Sequence, residues 1–260
     1  MTERQPYVSS DFNWTDEERQ AYIGGNYSQL AEEDARIDSA LIDAIAERDG
    51  DTPLINQLNS VLELGVGGAL RGPAFMAPLV HDHGIITITD ISKKNVQATR
   101  NELHRVSAGD LGIWQPHQEH MANCHPAWRG AFGRAALLAT YGTLSVSELE
   151  PDMADAVSLS YLIESKGHND IDEWRRDLRV VARAAIRLIH IRQTDNSEAY
   201  MAGKKIHLAV SVTREQTEEE LSRHGFEVIG SYTAAASGQA RQDDDAHHYS
   251  GFSGILAERR

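Results

Sequence analysis

The 260-residue chain has one cysteine, Cys124, so no disulfide can form within it, and this fits a reducing cytoplasmic setting. It has no apolar run near the roughly 18 residues that a membrane-spanning helix needs. Its first six residues are polar and lack the apolar stretch of a signal peptide. Positive charge is also scarce: 25 Lys and Arg stand against 39 Asp and Glu, for a formal net charge of -14. A protein that follows phosphates needs a basic stripe, and this sequence carries none, so nucleic acid is not an expected partner. The arginines at 175, 176, 179, 183 and 187 have the spacing of an exposed helix side. There is no internal repeat. The length suits one α/β unit with an extension, divided as an N-terminal arm with lid helices over 1–50 and a main domain over 51–260.

The stretch Ser60-Val61-Leu62-Glu63-Leu64-Gly65-Val66-Gly67-Gly68 organises the rest. It reads as a short buried strand over 61–64, a glycine turn, and a helix that begins near Arg71. A second strand, over 85–89, ends in Asp90. Glycines after one parallel strand let a ligand approach the backbone, and a carboxylate at the next strand tip accepts hydrogen bonds from a ribose diol. The dinucleotide fingerprint requires a third glycine where this chain has Leu70, which argues against a bound pyrophosphate.

Residues 32–47 have helical spacing, with Ile37, Leu41, Ile42 and Ile45 on one face and charges on the other. Further helices are predicted over 72–81, over 93–106 behind a Ser92 cap, over 170–183, and after Thr213. Strands are predicted over 135–141, 155–161, 184–191, 225–229 and 248–258, and residues 108–132 read as irregular. Alternating helices and strands with a late hairpin imply a Rossmann-like, mostly parallel sheet. Residues 1–27 hold Tyr7, Phe12, Trp14, Tyr22 and Tyr27 around Gly24-Gly25, which suits an arm that folds over something. His117, His120, Cys124 and His125 lack the repeated ligand spacing of a zinc site, and no metal is expected.

From about Phe12 onward the chain resembles the nicotinamide, phenylethanolamine and thioether methyltransferases and their bacterial relatives, within the class I S-adenosylmethionine-dependent enzymes. Four stretches carry the likeness: Ala21-Tyr22-Ile23-Gly24-Gly25-Asn26-Tyr27, the turn at Glu63, Gly65 and Gly67, Thr89-Asp90-Ile91-Ser92-Lys93-Lys94-Asn95, and Glu198-Ala199-Tyr200-Met201-Ala202-Gly203. The resemblance implies a seven-stranded sheet with helices on both faces, and an N-terminal helical lid. It implies that Tyr22 and Tyr27 contact the amino-acid end of the cofactor, that Asp90 holds the ribose, and that Glu63, Gly65, Gly67, Ile91 and Asn95 face the cofactor. Ser160 and Tyr161 end the fourth strand, where the methyl group meets the substrate. Tyr141 takes a place beside adenine that the family gives to an acidic residue. Trp14, Tyr161, Glu164, His168, Arg192 and Tyr200 are the expected substrate contacts.

Methyl transfer is an in-line displacement from an already activated sulfonium, so the protein mainly aligns the acceptor and excludes water. Tyr22 and His168 are the expected catalytic residues, and His168 titrates in the range that suits a base at neutral pH. Arg192 stands where the nicotinamide and phenylethanolamine enzymes carry an acid, which points from cationic amines towards a substrate with a carbonyl. The expectation is a cytoplasmic enzyme, monomer or homodimer, that converts S-adenosylmethionine to S-adenosylhomocysteine while methylating a small molecule. N-methylation of an aromatic, indole, amino-acid-derived or cyclic dipeptide substrate in specialised metabolism comes first. A non-catalytic cofactor-binding protein and a nicotinamide-dependent enzyme on the same fold remain as alternatives.

Overall fold

The computed structural model describes residues 17, 19, 23, 24, 30–48, 53–164, 170–196, 199–202, 205–235 and 251–260, with 199–202 and 205–208 described as backbone only. The helices are α1 (Glu32–Arg48), α2 (Arg71–Met76), α3 (Lys93–Ser107), α4 (Gln115–Cys124), α5 (Ala131–Leu138), α6 (Ile171–Ala184) and α7 (Arg214–Arg223). The strands are β1 (Leu58–Leu64), β2 (Val80–Asp90), β3 (Ala139–Thr143), β4 (Ala154–Ser160), β5 (Ala185–Asp195), β6 (Ala199–Ala202), β7 (Lys205–Leu208), β8 (Phe226–Ala235) and β9 (Gly251–Arg259).

Seven strands form one sheet in the order β3-β2-β1-β4-β5-β9-β8, and β6 pairs with β7 as a separate hairpin. The β3-to-β5 part is parallel, while β9 is antiparallel to both β5 and β8. One face is covered by apolar residues of α1 to α5 and the other by those of α6 and α7. Covered on both faces, β1 is buried over 61–64 and β4 over 156–159, and Glu63 and Ser158 are the polar residues in those two runs. The chain order reverses between β1 and β4, and ligands of open α/β sheets bind at such a switch point.

Local signals act as their chemistry directs. Ser92 accepts from the Asn95 backbone N–H and starts α3, Asp170 accepts from Asp172 N–H and starts α6, and Thr213 with Gln216 forms a capping box for α7. Helix α1 lies on β8 and β9, with Ile37 packed directly on Gly254, where a methyl group would collide with it.

Three sequence expectations are corrected. The stretch over 135–141 is not one strand: α5 runs to Leu138 and β3 begins at Ala139. The segment over 108–132 is largely helical, because Pro116 lies in the first turn of α4, where a missing N–H costs nothing. The helix after the glycine turn ends at Met76 and passes through a 3-10 turn straight into β2.

Candidate functional site

The glycine turn has a left-handed backbone at Gly65 (φ 65°), Gly67 (φ 57°) and Gly68 (φ 98°), where a side chain would strain the chain. Asp90, at the tip of β2, fastens the turn. Its Oδ2 accepts from the Gly67 backbone N–H at 3.0 Å, and its Oδ1 accepts from the Ser92 backbone N–H at 2.8 Å and from Asn95 Nδ2 at 3.2 Å. A carboxylate has about four acceptor positions. Three serve the protein, which leaves room for a ligand hydroxyl. Burial raises the Asp90 pKa, opposed by the hydrogen bonds from Ser92, Gly67 and Asn95. Ile91, the next residue, is 58% exposed and offers an apolar surface beside the carboxylate. Among the described residues, only the Gly65 carbonyl oxygen, at 3.9 Å, would meet a Cβ on Gly67, which leaves room for a ligand to approach that side of the turn.

Two described residues of the N-terminal arm lie on this turn. Arg19 is buried and donates from Nε to Asn95 Oδ1 at 3.0 Å, and the Ile23 side chain packs against Gly68. The arm therefore reaches Asn95, one of the three residues that hold Asp90, and Gly68, which adjoins Gly67, another of them.

Behind the turn lies a buried polar cluster. Glu63, Ser158 and His190 stand side by side on β1, β4 and β5. Ser158 Oγ hydrogen-bonds His190 Nδ1 at 2.9 Å, and the His190 ring stacks on Phe75 at 4.5 Å. Burial, followed by the positive charges of Arg192 and Arg71, drives the His190 pKa well below its usual value and keeps the ring neutral. Glu63 abuts Gly72 in the first turn of α2 and is pushed up to about 7 by burial, against a hydrogen bond from Ser158 and the Arg192 charge. Arg71 pairs with Asp34 at 2.5 Å and with Asp38 at 3.1 Å, and Arg192 pairs with Asp38. Arg192 lies over Phe75 at 5.5 Å, and its buried Nε and Nη1 have no hydrogen-bond partner among the described residues.

The tips of β4 and β5 continue this wall. Ser160 pairs in register with Arg192, and its buried Oγ also has no hydrogen-bond partner among the described residues. Tyr161 has φ 54°, unusual for a bulky side chain. Its N–H donates to the Arg192 carbonyl at 2.7 Å, and its ring meets Phe252 edge-on at 5.8 Å. The next residue, Leu162, packs against Gly65. Glu164 accepts from the Thr194 backbone N–H at 3.3 Å through Oε1, while its buried Oε2 has no hydrogen-bond partner among the described residues. Burial pushes this carboxyl up to about 7. The Ser160 hydroxyl, two guanidinium nitrogens of Arg192 and one carboxyl oxygen of Glu164, all buried and without hydrogen-bond partners among the described residues, thus lie towards the carboxyl ends of β4 and β5.

No protein-family model matches the chain, and no curated protein sequence matches it significantly. Solved structures do match. The magnesium protoporphyrin IX methyltransferase of Synechocystis PCC 6803, with S-adenosylmethionine bound, is 16% identical with a TM-score of 0.57, over 97% of this chain and 95% of that one. The putative methyltransferase in complex with the Trm112 methyltransferase activator of Haloferax volcanii is 12% identical with a TM-score of 0.53, over 97% of each chain. A putative sarcosine dimethylglycine methyltransferase of Galdieria sulphuraria is 10% identical with a TM-score of 0.53, over 94% and 98%. The chain has the fold of the S-adenosylmethionine-dependent methyltransferases.

On this methyltransferase fold, Glu63, Gly65, Gly67, Asp90, Ile91 and Asn95 gather at the ends of β1 and β2, and Ser160, Tyr161, Glu164 and Arg192 at the ends of β4 and β5. Tyr141 is displaced from the expected strand end. Strand β3 continues to Thr143, which stands opposite Asp90, whereas Tyr141 lies under Arg100 at 5.7 Å and lines a groove of about 580 Å³ beside α3. Trp14, Tyr22, Tyr27 and His168 lie outside the described residues, as does the side chain of Tyr200. His120 turns its Nε2 to the Ala35 carbonyl at 2.9 Å and so ties α4 to α1. Among the described residues, no group of three or more His, Cys, Asp or Glu has metal-site geometry, and no helix is long and apolar enough to cross a membrane. Sequence reasoning missed Asp34, Asp38, Arg71, Gly72, Ser158 and His190. The signal for Ser158 and His190 was present as polar residues inside apolar strands, and for Asp34 and Asp38 as two acids four apart on α1.

Proposed function

We propose that this protein is an S-adenosylmethionine-dependent methyltransferase that acts on a small molecule. One observation carries the reading: the Gly67–Asp90 hydrogen bond, which locks an open glycine turn to a strand-tip carboxylate at the switch point of a methyltransferase-type sheet. In this proposal Gly65 and Gly67 let the cofactor approach, and Asp90 gives its remaining acceptor position to the ribose. Ile91 lies on adenine, with Thr143 rather than Tyr141 at the adenine edge. Asn95, Tyr22, Tyr27 and Ser160 complete the cofactor wall, and Glu63 stands behind it.

When bound, the cofactor supplies an activated methyl group. The chain's own task is then to hold an acceptor in line and keep water out. Tyr22 and Tyr27 close over the site from the arm, whose neighbours Arg19 and Ile23 already rest on the turn. Trp14, Tyr161, Arg192 and Tyr200 hold the substrate. A base is needed only for an acceptor that is protonated at rest. His168 suits that role, and Glu164 is a second candidate because burial brings its pKa to about 7. The resemblance to the nicotinamide, phenylethanolamine and thioether branch favours nitrogen as acceptor. The buried donors of Arg192 favour a substrate that presents a carbonyl, of the aromatic, indole, amino-acid or cyclic dipeptide type. We place the enzyme in the cytoplasm as a monomer or homodimer.

A nicotinamide enzyme is disfavoured. Leu70 is fully buried where a third glycine would stand, and the Glu63 carboxyl occupies the first turn of α2, where a pyrophosphate would otherwise sit. Calorimetry with S-adenosylmethionine, S-adenosylhomocysteine and NAD tests the assignment. The first two should bind and NAD should not. A metabolite screen for a gain of about 14 Da, one methyl in place of hydrogen, then finds the substrate. Tight NAD binding would overturn the proposal, and a cofactor-binding protein that methylates nothing would leave only its binding half.

A further inference from the structure

The buried cluster behind the glycine turn has a charge count that leaves one group over. Asp34 and Asp38 face Arg71 and Arg192, two negative charges against two positive, and the pairs are in direct contact. His190 is neutral and spends Nδ1 on Ser158. Glu63 is the remaining carboxyl group of the cluster, and the Tyr161 phenol lies near Arg71. Glu63 is 1% exposed, makes no ion pair among the described residues, and has one carboxyl oxygen, Oε2, without a hydrogen-bond partner. Each element packed around it can be named. Strand β4 presents Ser158. Strand β5 presents His190 and Arg192. Helix α2 presents the bare backbone of Gly72 and carries Arg71, which pairs with Asp34 and Asp38 of α1, and β2 presents Thr89, whose hydroxyl donates to the Glu63 backbone carbonyl.

Glu63 lies two residues before Gly65, about 7 Å of extended strand from the turn. If the cofactor assignment above is right, and this inference rests on it, two ligands of different charge use that turn. The methyl donor carries one positive charge overall, because its sulfonium adds to a balanced ammonium and carboxylate. The demethylated product carries none.

We propose that Glu63 distinguishes the charged methyl donor from its neutral product by giving up its proton when the donor binds and taking one back when the methyl group has gone. The bookkeeping closes. On donor binding the Glu63 O–H bond breaks and the proton passes to solvent, so the buried site gains a negative charge to match the sulfonium. On transfer an acceptor N–H or O–H loses a proton, the sulfonium charge disappears, and Glu63 takes up one proton. The site keeps its net charge through the cycle. Burial sets this up by bringing the free carboxyl to about 7, where it is partly protonated at working pH. A unit charge about 8 Å away, at an effective dielectric constant near 20, moves such an equilibrium by roughly one to one and a half pH units.

Calorimetry of the full chain at pH 6.5, in phosphate and in ACES, counts the protons exchanged. S-adenosylmethionine should release about half a proton per site, and S-adenosylhomocysteine under about 0.1. The donor's Kd should tighten about fivefold to tenfold from pH 5.5 to 8 while the product's stays flat. Glu63→Gln should bind both ligands and lose the difference between them. If Glu63→Gln does not fold, Ser158→Ala serves: it removes the hydrogen bond that favours the ionised form, and should move the midpoint of the donor's pH profile upward. Equal proton counts for the two ligands, a difference that survives in Glu63→Gln, or an unmoved midpoint in Ser158→Ala would each overturn the inference while leaving the cofactor assignment standing. Failure of both ligands to bind would overturn the assignment and the inference together.

Discussion

Asp38 and Arg192 are 154 positions apart in the chain and meet as an ion pair in which each side chain is 1% exposed. Asp38 also receives Arg71, so one carboxylate on α1 joins the helix after the glycine turn to the end of β5. Asp38→Ala leaves Arg192 buried without its counter-charge and should cost about 3–5 kcal/mol in unfolding free energy. Asp38→Asn keeps an acceptor oxygen and should cost less. Urea unfolding of the two variants checks the order. Equal and small losses would mean that water, not Asp38, satisfies the arginine.

Gly72→Ala tests the seat of Glu63. A methyl group at Gly72 meets the Glu63 carboxyl directly, so the variant should lose about 1–3 kcal/mol by overpacking. Glu63→Ala removes the obstacle, and the double variant should lose clearly less than the two single losses added. Strict additivity in a double-mutant cycle would separate the two residues.

The pH dependence of stability has a defined sign. Between pH 4.5 and 7 the folded protein keeps protons on Glu63 and Glu164 that the unfolded chain has released, so stability falls as pH rises through that window. His190 acts oppositely below about pH 6.5, where the unfolded chain takes up a proton that the folded ring refuses. Glu164→Gln keeps an acceptor for the Thr194 N–H but cannot ionise. Its Tm should match the parent's near pH 5 and exceed it by about 5 °C at pH 8, from a difference on the order of 2 kcal/mol. A Tm difference that does not change with pH would show that Glu164 ionises as freely as an exposed glutamate.

Asp90→Ala should weaken S-adenosylmethionine binding by about 1–3 kcal/mol, the loss of a hydrogen bond to a charged group. It should also lower stability, because the Gly67, Ser92 and Asn95 donors lose their acceptor. Calorimetry and urea unfolding on the same sample measure both. Unchanged cofactor affinity in a folded variant would remove Asp90 from the site.

The parts of the fold written in short-range chemistry were legible in the sequence. The turn at Gly65 and Gly67, the strand ending at Asp90 and the Ser92 cap each depend on neighbours within a few residues. The run Ala135-Ala136-Leu137-Leu138-Ala139 was not legible, because a short apolar stretch has no period that separates helix from strand. Asp34 and Asp38 looked like the solvent side of an amphipathic helix. Their arginines come from elsewhere in the chain, and no local pattern announces a partner that folding alone brings near. Tyr141 was misplaced for a related reason: where β3 ends is set by its pairing with β2 through Asp90 and Thr143.

The position of β9 bears on how the chain can be made. Residues 251–259 are synthesised after every other strand of the sheet, yet they form the strand between β5 and β8. Helix α1, synthesised early, rests on Gly230 and Gly254 of those two late strands. During translation the growing chain thus exposes Ile37, Leu41 and the free edge of β5 until β9 arrives, a wait in which non-local pairing is slow and open edges attract other chains. A chain interrupted before Gly251 would therefore lack the strand that joins β5 to β8, and should be a substrate for chaperones rather than a shortened version of the same fold.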